Sequence, residues 1–298
     1  MQSPSLIATH AQPDSPGWRH AIVIGLSPPS SLLAAWCLFV AWSLFAAELP
    51  SVAGAEPEPL TVMTWNLEWF YDDDSGDNYS RLAKEKAAPG RRQWDWRRDA
   101  VAQRIAIARP TVVAFQEVEN RRVLWYLTRA IDREHSLSYR ELSLQSRDHY
   151  TEQDVGMLFR RPADALLTSQ FSMPQRMRAD NRYSDVTKHL LAVFEFPVGD
   201  RVERVAVLNV HLRSGVQGTP VRLRQARLLH HWISEAIQRG EHLIVLGDFN
   251  TEQRGDVTQD QSDLGILSGR ETQATSDDLI DLNLRLPPND RQTHLLPD

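Results

Sequence analysis

Apolar, β-rich runs that each end on a polar side chain restrict the fold of this chain more than any other feature. Leu60–Trp65 leads into Asn66, and Thr111–Phe115 leads into Gln116 and Glu117. Val205–Val210 leads into His211, and His242–Leu246 leads through Gly247 into Asp248, Phe249 and Asn250. Such runs read as buried strands. Strand ends line an edge of a sheet, where side chains from separate segments can converge. Asn66, Glu117, His211, Asp248 and Asn250 all take that position, which packing alone explains poorly.

The segments between these runs alternate with them in character. Trp96–Ala108 has helical spacing at Val101, Ile105 and Ala108, and Pro110 marks its end. Asn120 is placed to cap a helix running to about Asp132, with Val123, Leu124, Leu127 and Ile131 on one face. Arg222–Ile237 carries the stripe Leu228, Leu229, Trp232, Ile233 and is closed by Gly240. Gly156–Phe159 and Leu190–Phe196 add two further strands, while the polar residues 71–95 read as a long surface loop. Several strands follow one another without a helix, which favours two sheets with outer helices over one doubly wound sheet.

The net charge of −6 marks no general nucleic-acid-binding surface, so any anionic substrate has to be drawn in by local cations. The single cysteine, Cys37, lies in an N-terminal apolar run. Disulfides, cysteine-based zinc sites and a thiol nucleophile are thereby excluded for the rest of the chain.

Each strand-end residue offers chemistry beside a blander reading. Glu117 is a carboxylate fit for Mg²⁺ or Mn²⁺, or else a solvated loop acid. The Asn66 amide can orient a carboxylate or a water, or form a turn; the neighbouring Glu68 is a second candidate acid. His211 can donate to a phosphate oxygen or protonate a leaving group, although a lone histidine is more often structural. Arg213, Ser214 and Gly215 follow it and offer a cation and donors to a phosphate. Asp248 and Asn250 lie two apart, and in an extended segment both face one side. Asp248 is then placed to activate or position water and Asn250 to hold it in line.

Trp65-Asn66-Leu67-Glu68, Gln116-Glu117-Val118, Asn209-Val210-His211-Leu212 and Gly247-Asp248-Phe249-Asn250 occur in the order of the endonuclease/exonuclease/phosphatase family, which this chain resembles from about Leu60 onward. The resemblance implies a four-layer α/β/β/α sandwich of two mixed β-sheets flanked by helices, with the site at one end of the paired sheets. It implies Mg²⁺ (or Mn²⁺) held by Glu117 with help from Asn66. It also implies Asp248 and Asn250 acting on water, and His211 on the phosphate. The expected activity is phosphodiester or nucleic-acid hydrolysis by in-line attack of water. A vestigial phosphate-binding module, a phosphomonoesterase and a sphingomyelinase-like lipid hydrolase are the alternatives.

The chain departs from the family after Asn250. The family pattern closes with an Asp before a strand and then Ser-Asp-His, and no Ser-Asp-His follows Asn250 here. Thr293-His294 looks like the segment just upstream of that missing part. The domain, residues 56–298, is accordingly expected to lack its C-terminal strand or strands.

Residues 1–55 read as a leader. Leu32–Ala47 is free of charge, and Ala53-Gly54-Ala55 has the A-x-A pattern that releases a chain starting at Glu56. The expected location is periplasmic or secreted, or the outer face of a membrane if the apolar run stays as an anchor. A monomer is expected, with a phosphoester partner. Basic residues from Arg81 to Arg104, interleaved with Trp94 and Trp96, read either as a nucleic-acid grip or as an ordinary charged surface.

Overall fold

The computed structural model describes residues 59–251 and 262–287, together with the backbone of Ser5–Leu6. The remainder of the leader, the Leu32–Ala47 run, and Thr293 and His294 lie outside the described residues. Among the described residues no helix is long and apolar enough to cross a membrane.

Two mixed sheets pack face to face with helices outside them, the α/β/β/α sandwich that the family resemblance implied. The first sheet is built from β2 (Val62–Phe70), β3 (Val112–Val118), β5 (Asp154–Phe159) and β4 (Arg140–Ser143), in that spatial order. The two-residue strand β1 (Ser5–Leu6) pairs antiparallel on the outer side of β2. The second sheet runs β6 (Asp164–Ser169), β7 (His189–Val198), β8 (Arg201–His211) and β9 (His242–Asp248). Each sheet contains one parallel pair, β2 with β3 and β8 with β9, and its other long strands pair antiparallel.

A crossover helix joins each parallel pair, as parallel pairing demands. It is α2 (Arg91–Ala108) between β2 and β3, and α5 (Thr219–Gln238) between β8 and β9. Period-two alternation then sorts the side chains into layers. Val112 and Ala114 of β3 meet Leu190, Phe194, Val205 and Val207 in the core between the sheets. Val113 and Phe115 turn outward onto α2 and α3 (Arg121–His135). Ala206, Leu208 and Val210 of β8 turn outward into a cluster with Met177 of α4 (Gln175–Arg178), α5 and α6 (Asp263–Leu267).

The sequence-derived helices and central strands recur with shifted ends. Asn120 caps α3 as expected, its side chain accepting from the Arg122 and Val123 N–H groups. The segment 71–95 is not a loop throughout. It holds α1 (Arg81–Lys86), capped by Ser80, and the first turn of α2, where Trp94 is buried with its ring 4.9 Å from that of Phe70. α1 buries only Ala83 and the first turn of α2 only Trp94, so polar side chains dominate the composition there. Strands β4 and β6 also went unread. Both are edge strands, half-exposed along their length, so neither shows a clean apolar alternation.

Candidate active site

The alternation that builds the core also delivers three of the site residues. On β2 the inward face carries Thr64 and then Asn66; on β8 it carries Asn209 and then His211; on β9 it carries Ile244, Leu246 and then Asp248. Below the site, Gln116 Nε2 donates to Asn209 Oδ1 at 2.7 Å and to Thr64 Oγ1 at 3.2 Å. Asn209 Nδ2 donates to the carbonyls of Phe115 and Gly156. These buried amides bolt the two sheets together one step beneath His211.

Glu117 breaks the alternation. Its odd position on β3 belongs with Val113 and Phe115 on the helix side. Its backbone is left-handed (φ 60°), and the β2–β3 register slips between Asn66 and Phe70. A bulge of this kind re-aims a side chain, and here it brings the Glu117 carboxylate to the end of the inter-sheet core. Asn66 Nδ2 donates to Glu117 Oε1 at 3.1 Å and to Asp248 Oδ2 at 2.7 Å, holding carboxylates of opposite sheets together. His211 Nε2 lies 3.8 Å from Glu117 and 3.9 Å from Asp248.

Burial pushes the Glu117 carboxyl above its usual range; the Asn66 amide, Lys188 and the Trp69 N–H oppose this, and Asp248 adds to it. Burial holds the His211 imidazole far below its usual range, and Lys188 acts in the same direction against Asp248 and Asp148. The ring is therefore neutral. Among the described residues its buried Nδ1 has no hydrogen-bond partner.

One ligand atom each from Glu117, His211 and Asp248 lies within 4.8 Å of the others. The two carboxylate oxygens suit Mg²⁺ or Mn²⁺, which take oxygen ligands, and the imidazole nitrogen sits beside them. A second acidic group, Asp72, Asp77 and Glu119, is equally tight. It is already neutralised within the protein: Arg122 reaches Asp72 at 2.9 Å and Asp77 at 3.0 Å, and Asn78 donates to Glu119.

The other expected residues fall in different places. β9 ends at Asp248, and Asn250 is left-handed (φ 51°), so the two do not lie along one extended segment. The Asn250 N–H donates to Asp248 Oδ1 and its side chain to the Leu212 carbonyl. Asn250 thus braces the turn that carries Asp248. Arg213 and Ser214 are exposed on the loop after β8, whose carbonyls at Arg213 and Gly215 are held by the buried Arg222. Of the basic stretch, Trp94 is core, whereas Trp96 is exposed and lines a shallow groove with Pro89, Arg91, Arg92 and Gln93.

Two site residues escaped the sequence reading. Gln153 Nε2 donates to Glu117 Oε2 at 2.7 Å, and Lys188 Nζ donates to Gln153 Oε1 at 3.1 Å and pairs with Asp148 at 3.3 Å. They precede β5 and β7, which run antiparallel to β3 and β8. The N-terminal ends of antiparallel neighbours share an edge with the C-terminal ends of β3 and β8, and that was the available signal.

Carboxylates from two facing sheets, gathered around a buried imidazole at one end of the sandwich, define a class of α/β/β/α phosphoester hydrolases. The chain belongs to the endonuclease/exonuclease/phosphatase family, whose sequence model matches residues 63–295. No curated protein sequence matches it. Among solved structures it is similar to TDP2 from C. elegans (21% identity, 64% of this chain and 48% of that one, TM-score 0.42). It thus spans about half the length of that protein. It is also similar to the human Nocturnin catalytic domain with bound sulfate (18%, 68% and 70%, 0.42). A third is an endonuclease/exonuclease/phosphatase family protein from Bacteroides thetaiotaomicron (18%, 69% and 68%, 0.46).

Proposed function

We propose that this chain is an exported, divalent-cation-dependent phosphodiester hydrolase whose substrate class is nucleic acid. The observation that carries the reading is the meeting of Glu117 from one sheet with Asp248 and His211 from the other. Glu117, steadied by the Asn66 amide, would hold the cation, with Asp248 and His211 beside it. When bound it would neutralise charge on the phosphate, the requirement of in-line displacement at phosphorus.

The chain's own residues divide the remaining work. Asp248, pinned by Asn66 and by the Asn250 N–H, is the base placed to orient or deprotonate the attacking water. His211, buried with its Nε2 facing Glu117 and Asp248, is placed to donate a hydrogen bond to a phosphate oxygen. Lys188 supplies a positive charge behind Glu117 and His211. The groove with Arg92 and exposed Trp96 supports the nucleic-acid reading, since guanidinium and indole suit a phosphate backbone and a base face.

The test is turnover of single-stranded DNA and of bis-p-nitrophenyl phosphate with Mg²⁺ or Mn²⁺. Asp248→Ala should lower kcat by about 10²-fold or more with the fold intact. Unchanged kcat in Asp248→Ala would remove the site, and binding without turnover in the unaltered chain would remove the activity. Export is read from the N-terminus of protein recovered outside the cytoplasm, expected at Glu56; protein found only inside the cell would overturn it.

A further inference from the structure

Arg97 lies on α2, away from the strand ends, yet it bears on Glu117 through the backbone. Residues 67–69 of β2 bulge out of the ladder: Asn66 pairs with Gln116 and Phe70 with Val118, so β2 carries extra residues opposite Glu117. Glu68 (φ 52°) and Trp69 (φ 59°) are both left-handed. Two consecutive left-handed side-chain-bearing residues cost about 1–2 kcal/mol each, so something must hold them.

The Arg97 guanidinium does so. Nη1 donates to the Trp69 carbonyl at 2.6 Å, and Nη2 donates to the Leu67 carbonyl at 2.6 Å and to the Glu68 carbonyl. Three successive carbonyls turned onto one planar fork match the geometry that distinguishes arginine from lysine. The cation also lies over the Phe70 ring, 5.8 Å from its centroid. Among the described residues, no carboxylate forms an ion pair with it, so its bonds go to the bulge. The consequence reaches the site directly: with the bulge curled this way, the Trp69 N–H donates to Glu117 Oε2 at 3.1 Å.

We infer that Arg97 is a positioning residue for cation binding: by clamping the 67–69 bulge it aims the Trp69 N–H at Glu117 and fixes the carboxylate that would hold the ion. This rests on the reading of Glu117 as a cation ligand. Loss of such an outer support lowers metal affinity by about 10–100-fold.

The experiment is direct Mn²⁺ binding, by calorimetry and water-proton relaxation, to the full chain and to Glu117→Gln, Arg97→Gln and Arg97→Lys, with thermal unfolding measured in parallel. Expected are binding by the unaltered chain, its loss in Glu117→Gln, and a Kd raised at least tenfold in folded Arg97→Gln. Arg97→Lys should fall between, because an ammonium reaches fewer of the carbonyls. Absence of Mn²⁺ binding in the unaltered chain would sink the cation reading itself. Binding that is lost in Glu117→Gln but unchanged in Arg97→Gln would overturn only the clamp. If Arg97→Gln does not fold, Arg97→Lys decides in its place: severalfold weaker binding supports the clamp and unaltered affinity overturns it.

Discussion

At the scale of single residues, the buried amides beneath the site make the sharpest prediction. Asn209 is fully buried, and its amide is spent on Gln116 and on the Phe115 and Gly156 carbonyls of the other sheet. Asn209→Ala strands these partners without water, at a cost of about 2–4 kcal/mol. Because Gln116 and Asn209 serve one contact, their alanine variants should be non-additive by at least about 0.5 kcal/mol in urea unfolding; strict additivity would show that the bolt does not act as a unit. The same residues show what the sequence revealed. Asn66, His211 and Asp248 were legible because each continues its strand's alternation by one step. Glu117 was legible only as a residue type. Its orientation depends on a left-handed backbone and a bulge, which no spacing rule anticipates. Asn250 was misplaced for the same reason, since the strand ends two residues earlier than an extended reading assumes.

At the scale of elements, the two β–α–β halves solve one problem in parallel ways. In the last residues of β2 and just after β8 the chain takes an irregular path, and an arginine from the crossover helix ties that path down: Arg97 on α2 and Arg222 on α5. These arginines were invisible in sequence because their partners are carbonyls, which carry no residue signature. The turn into Asp248 is constrained differently. Gly247 has φ 133°, and a Cβ there would sit 2.0 Å from the Val210 carbonyl oxygen. That atom belongs to β8 and cannot yield without breaking the parallel pairing. Gly247→Ala should therefore cost about 2 kcal/mol or more and lower turnover along with stability, since Asp248 moves with the strand. A midpoint of denaturation within experimental error of the unaltered chain would show that β9 can shift. The edge strands β4 and β6 illustrate the opposite limit, where half-exposure erases the pattern from which strands are read.

At the scale of the whole molecule, buried titratable groups of opposite sign set the dependence of stability on pH. Burial raises Asp154 from its ordinary 3.8 to about 6, and Glu119 from 4.5 to about 7. In the folded state both hold their protons longer than in the unfolded chain. Their contribution is full below about pH 4 and is lost as pH rises through 6 and then 7. Burial lowers His189 from 6.5 to about 4, so its contribution is present above 6.5 and is lost as pH falls through 4. Between pH 4 and 6.5 these slopes oppose one another, and removal of one group uncovers the other. Asp154→Asn keeps an oxygen for the Ser146 N–H, which donates to Asp154 Oδ1 at 2.7 Å, and removes the titration. Relative to the unaltered chain it should gain stability progressively from pH 4 to about 6, at up to about 1.4 kcal/mol per pH unit, and keep a constant advantage above that. Urea midpoints at pH 4.5, 5.5 and 7.5 read the tilt directly. A difference between the two proteins that is independent of pH would mean that Asp154 is ionised in the folded state throughout, and that its burial is offset by the Ser146 contacts alone.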